Sequence, residues 1–138
     1  MSSEAHRERL TAAEVLQRYK DEDLPAFSGI SLTNVNQVGL FGERPLGVAA
    51  VRGNPEEICA LLEGGADVNA AGEHGFTALH EAVAQGNLSV VKLLLEFGAR
   101  VEMQNEFEQT ALDIASERNR EDLVTLLTRR ESDAGQCF

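Results

Sequence analysis

Apolar residues in this chain fall in short helical stripes that recur at one fixed interval. Leu46, Leu79 and Leu112 stand 33 residues apart, as do Ala49, Ala82 and Ala115, and Ile58, Val91 and Val124. Self-similarity at such a period marks stacked helical units, none of which can bury its apolar face alone. Each unit is predicted to hold an inner and an outer helix. The first inner helix is expected over about 45 to 52, with Pro45 at its first position, where the missing N–H removes no bond. Gly53, Gly86 and Asn119 share one slot after the inner helices, and these residue types enter the left-handed conformation at least cost. Outer helices are predicted at roughly 55 to 64, 88 to 97 and 121 to 130, with Asn54 and Asn87 as N-caps and Pro55 at a first helical position. Gly65 and Gly98 end the first two. Glu131 takes that slot in the third, so the last helix is expected to fray into a disordered tail.

The N-terminal region departs from the repeat. Residues 11 to 20 read as a helix with Thr11 as N-cap, Glu14 completing a capping box, and Leu10, Val15, Leu16 and Tyr19 as its apolar stripe. Asp21, Glu22 and Asp23 break the pattern, and Leu24 to Thr33, with Pro25 and Gly29, fits neither helix of a unit. Whether that segment pairs with the first hairpin is open at this level. Alignment resumes at Val35-Asn36, which fall 33 residues before Val68-Asn69. The expected organisation is a capping helix and degenerate leading unit over 1–38, units at 39–71, 72–104 and 105–130, and a flexible tail at 131–138.

The second unit carries Thr77-Ala78-Leu79-His80, and Leu-Leu-Glu-Gly-Gly-Ala-Asp-Val-Asn-Ala (61–70) is echoed by Leu-Leu-Glu-Phe-Gly-Ala-Arg-Val-Glu-Met (94–103). In these segments the chain resembles the ankyrin-repeat family. The resemblance implies an all-α ankyrin-repeat solenoid of helix-turn-helix units, with short β-hairpin-like turns in place of a true sheet. It also implies that Thr77 caps the inner helix while His80 closes a local hydrogen-bond network, a structural role. The third unit keeps Thr110 and has Asp113 for histidine, which can still reach back as a capping-box acceptor. The first unit has Arg44 and Gly47 there and lacks both partners. Losing such a cap costs about 1 kcal/mol, so the N-terminal side is expected to be softer unless the leading segment covers it.

Charge narrows the partners. Among 138 residues, 23 acidic side chains against 12 basic ones give a net charge of −11. That charge repels phosphate backbones and anionic lipid, so neither nucleic acid nor membrane is expected as a partner. It favours encounter with a basic protein surface, although the same acidity also serves plain solubility. No apolar run reaches membrane-spanning length and the N-terminus is charged, so a cytoplasmic chain, monomeric alone, is expected. Cys59 and Cys137 then read as two thiols in a reducing compartment.

Catalytic, cofactor and metal sites are all expected to be absent. Cys59, Cys137, His6, His74 and His80 form no close pair with zinc-ligand spacing. Gly64-Gly65 is a helix terminator without the Lys and Ser/Thr of a phosphate loop, and no serine has a nucleophile-elbow context. Glu73, His74 and Glu81 are the one constellation an enzyme could use.

What remains is a surface. The resemblance implies that hairpin tips and the exposed side of the inner helices form a concave binding face. Carried over residue by residue, that face holds Val38, Leu40, Phe41, Glu43, Val51 and Arg52 in the first unit. In the second it holds Glu73, His74, Phe76, Ala84 and Gln85, and in the third Glu106, Phe107, Gln109, Glu117 and Arg118. Phe41, His74 and Phe107 recur every 33 residues, a ladder of flat side chains beside Glu43, Glu73 and Glu106. Aromatic residues are favoured interface anchors, but Phe41 and Phe107 could equally pack down between hairpins. The function this implies is a non-catalytic interaction protein that masks or inhibits a basic protein partner. Its sharpest form is a bacterial toxin-neutralising immunity protein, since small free-standing ankyrin-like proteins of bacteria include ones similar to this. An adaptor joining two proteins is the alternative, and an enzyme accessory subunit a third.

Overall fold

The computed structural model describes residues 10–40 and 42–132, with side chains as far as Arg129. The described residues form seven α-helices and two short 3-10 turns, with no strand. Helix α1 (Ala12–Asp21) leads, followed by the 3-10 turn Pro25–Phe27. Three helical pairs follow: α2 (Pro45–Arg52) with α3 (Pro55–Glu63), α4 (Ala78–Gln85) with α5 (Leu88–Glu96), and α6 (Ala111–Glu117) with α7 (Glu121–Ser132). The second 3-10 turn, Glu73–Gly75, lies at the tip of the second hairpin. Inner helices α2, α4 and α6 stack in one row, and α1, α3, α5 and α7 stack in the outer row. The fold is an all-α repeat solenoid.

Local chemistry explains where each helix starts and stops. Thr11 accepts from the Glu14 N–H (3.2 Å) while Glu14 accepts from the Thr11 N–H (2.9 Å), so both halves of the capping box form. Asn54 and Asn87 cap α3 and α5 by accepting from the Glu57 and Val90 N–H groups, each at 3.1 Å. Thr77 with His80, and Thr110 with Asp113, close the same box on α4 and α6. Gly53, Gly86 and Asn119 have φ of 70°, 75° and 57°, the left-handed turn expected at that slot. The last helix extends to Ser132, so residues 131 and 132 of the tail expected over 131–138 are helical; the rest of it, with Cys137, lies outside the described residues, as does His6.

The core runs between the two rows. Leu46, Leu79, Ala49, Ala82, Ala115, Ile58 and Val91 are buried, as the periodicity requires. Leu112 and Val124, at the same slots of the third unit, are only partly buried, because no further helix of the described residues covers them. Hairpins are closed by one recurring bond: Gly39 N–H to Glu43 O (2.6 Å), Gly72 N–H to Phe76 O (2.8 Å) and Asn105 N–H to Gln109 O (3.0 Å). Asparagine amides tie unit to unit. Asn36 donates to Gly65 O (3.1 Å) and accepts from the Asp67 N–H (2.8 Å); Asn69 repeats this with Gly98 O (3.3 Å) and the Arg100 N–H (2.8 Å).

The leading segment does pair with the first hairpin. Leu40 N–H donates to Ala26 O at 2.7 Å, and a Cβ on Gly39 would collide with that carbonyl and with the Phe27 ring. Phe27 and Leu32 are buried, and Phe27 stacks parallel to Tyr19 with centroids 6.3 Å apart. Arg44 makes no side-chain cap on α2, as the sequence indicated. Its guanidinium instead donates to Ala71 O (2.9 Å) and Asn36 O (2.8 Å), bridging the second hairpin and the leading unit. The leading segment thus covers the first unit, the condition under which no softness is expected there. No helix of the described residues is long and apolar enough to cross a membrane.

Candidate functional site

Inner helices and hairpin tips enclose a groove of about 500 Å³ between the leading segment and the second unit. Gly47 and Val51 of α2, Ala78 and Glu81 of α4, and Glu73 and Phe76 of the second hairpin are among the residues that line it. One slot of the repeat lines the groove in the first unit and not in the second. In the second unit His80 fills it: Nδ1 accepts from the Thr77 N–H (3.0 Å), leaving Nε2–H to donate to Met103 O and Gln109 O, both at 3.0 Å. The ring thus clamps the third hairpin, and burial lowers its pKa, keeping it neutral. At Gly47 no ring exists, and a Cβ there would meet nothing within 4 Å.

The groove carries both signs of charge, Glu43, Asp67, Glu73 and Glu81 beside Arg44 and Arg52. Glu81 is half-buried, and burial first and the Glu73 charge second push its carboxyl up to about 6. It has no hydrogen-bond or ion-pair partner among the described residues. Glu43, half-buried, and exposed Gln85 also line the groove.

At the hairpin tips, His74 and Phe107 of the expected ladder do lie together, with ring centroids 5.8 Å apart. Phe41 lies outside the described residues. Phe107 is 60% exposed and so projects, although its edge meets half-buried Phe76 at 6.4 Å; Phe76 in turn packs edge-on to His80 at 5.6 Å. His74 sits at φ 58°, loosely flanked by Glu73 (3.6 Å) and Glu106 (3.9 Å). Leu40, Val38 and Val51 are exposed apolar residues of the first unit and the end of the leading segment, and of these Val51 lines the groove. Gln109 is drawn inward, accepting from Asn105 (3.0 Å) and donating to Glu117 (3.1 Å), while Arg118 and Glu106 stay exposed.

Arg52 turns to the N-terminal side. Its guanidinium pairs with Glu22 (2.8 Å) and Glu57 (3.2 Å) and lies 5.2 Å over the Tyr19 ring. The Glu22 hydrogen bond, offset in part by desolvation, holds the Arg52 pKa above its ordinary value. Glu57, fully buried, also accepts from Arg18 (2.9 Å) and from the Tyr19 hydroxyl (2.7 Å), whose own pKa is raised by burial and then by that bond. Sequence reasoning missed this network, yet a signal was present. The slot holds Glu57, Val90 and Leu123 in successive units, all fully buried, so a carboxylate occupies a core position of the repeat.

Among the described residues no group of three His, Cys, Asp or Glu side chains could hold a metal ion, and the Cys59 thiol donates to Glu63 at 3.4 Å. A stack of helical pairs with hairpin tips over a grooved inner row defines a class of protein that works by holding another protein. A family model described as ankyrin repeats (3 copies) matches residues 12–105 and 46–136, and the chain belongs to the ankyrin-repeat family. It is therefore a protein–protein interaction module, of a kind generally without catalytic activity. A search of curated proteins finds no match to it.

Proposed function

We propose that this chain binds a basic protein through its concave face and masks or inhibits it. The observation that carries the reading is Glu81: a half-buried carboxylate without a partner among the described residues, within reach of the Glu73 charge, lining a groove with apolar walls. A cation from another protein supplies what that carboxylate lacks, and the net charge of −11 draws such a partner in. Exposed Leu40, Val51 and Phe107 offer apolar anchors around it. Glu43, His74, Phe76, Gln85, Glu106, Gln109 and Arg118 complete the proposed surface, while Arg52 serves it by holding α2 against the N-terminal helix. Toxin neutralisation is the sharpest form of such masking, in a cytoplasmic setting.

The test uses the full chain as bait in native lysate at low and high salt, beside a Leu40→Ala/Phe107→Ala variant. A single basic protein is expected, weakened by salt and by the variant, and its own activity should fall when the purified chain is titrated in. Undiminished activity at saturation would remove masking, and simultaneous capture of two proteins in one ternary complex would replace it with an adaptor role.

A further inference from the structure

Gly47 is a glycine that the fold does not require. Its φ is not in the left-handed region, and a Cβ there would meet nothing within 4 Å, so neither backbone strain nor crowding excludes a Cβ. Glycine inside a helix weakens it relative to alanine. What the residue provides is room, at the slot where α4 carries His80 and α6 carries Asp113.

The charges facing that room are unevenly satisfied. Arg44 lines the groove but is held by the carbonyls of Ala71 and Asn36, and Arg52 is paired with Glu22 and Glu57. Asp67 accepts from the Asn69 N–H at 3.0 Å. Glu81 has no such partner among the described residues, and Glu73 adds to the negative potential around it. Val51 and Phe76 supply apolar wall.

We propose that this groove takes a basic peptide segment of the partner, one arginine or lysine lying over Gly47 with its charged head at Glu81 and its stem along Val51 and Phe76. The chemistry suits such side chains, which combine an apolar stem with a cationic tip. A volume of about 500 Å³ admits the flanking residues of an extended segment as well. The site rests on the partner-masking reading and makes it specific: the anchor is a cation, and its seat lies between the first and second units.

The probe is a capped peptide with one arginine between two leucines, beside the same peptide carrying uncharged citrulline, titrated into the isotope-labelled full chain by NMR. Saturable shifts are expected at the amides of Gly47, Val51 and Glu81. Citrulline, or Glu81→Gln, should weaken binding about tenfold, because each can keep a hydrogen bond but removes the charge that strengthens it. Gly47→Leu should abolish binding while leaving the melting temperature equal or higher, because it fills the room and improves the helix. Equal binding of the citrulline peptide, binding unaffected by Gly47→Leu, or no saturable shift at millimolar peptide would overturn the site. If the peptide fails while partner capture still depends on Phe107, only the groove assignment falls; if capture depends on neither, the masking reading falls with it.

Discussion

Replacing Glu57 with glutamine should unlatch the N-terminal end of the solenoid. The carboxylate is fully buried and receives Arg18 at 2.9 Å, Arg52 at 3.2 Å and the Tyr19 hydroxyl at 2.7 Å. Removing one partner from a buried ion pair costs about 3 to 5 kcal/mol. Two observations favour the lower figure. Arg52 keeps Glu22 at 2.8 Å, and the Arg18 side chain is 41% exposed, so water can reach it. We expect about 3 kcal/mol, a large share of the roughly 5 to 15 kcal/mol that holds a domain folded. Tyr19→Phe removes one donor to a buried acceptor and should cost less, about 1 to 2 kcal/mol. Urea unfolding followed by circular dichroism measures the totals, and amide hydrogen exchange locates the loss, which should fall in α1, α2 and α3 before α6 and α7. A Glu57→Gln cost within about 0.5 kcal/mol, the range of an ordinary surface change, would refute the reasoning.

Leu79→Ala, at a position 1% exposed between inner helices, should cost about 2 to 5 kcal/mol as a large-to-small core change; an unmoved urea midpoint would contradict the stacking register. Glu81 has a folded pKa raised from 4.5 to about 6, so the folded state holds an extra proton between those values and this group's contribution to stability declines as pH rises across them. The advantage of Glu81→Gln over the parent should therefore grow from pH 4.5 to above pH 6, and a difference constant with pH would count against it. His80 runs the other way: its folded pKa lies below the ordinary 6.5, so its contribution is complete above that value and is lost as pH falls towards the folded one. His80→Gln should flatten that acid-side loss in urea titrations; an unchanged slope would show that the ring does not titrate with unfolding.

Much of the architecture was legible because its causes are local. Thr11 with Glu14, Asn54, Asn87, Thr110 with Asp113, and the left-handed slot at Gly53, Gly86 and Asn119 each act within a few residues, and all stand where the pattern put them. The segment Leu24 to Thr33 was not legible, since its shape depends on Phe27 meeting Tyr19 and on Ala26 receiving Leu40 across a dozen or so residues of chain. Arg52 was assigned to the concave face by its slot and does line the groove; its pairing with Glu22, 30 residues away, and with Glu57 was not legible. Glu57 itself could have been found by reading down the repeat to Val90 and Leu123. The groove was harder, because it is made by what Gly47 lacks, and its lining comes from three separate units. Gly47 was noticed in the sequence as a missing cap partner, and only the packing around it turns that absence into space.

The buried ion cluster at one end and the partly covered Leu112 and Val124 at the other give the molecule a direction under load. Pulled from its ends, or gripped by a machine that unravels chains, it should peel from the third unit inward. The last portion to yield would be the one between α1 and α4, where the groove lies. A partner seated there would hold its grip while the far end of the spring opened and closed.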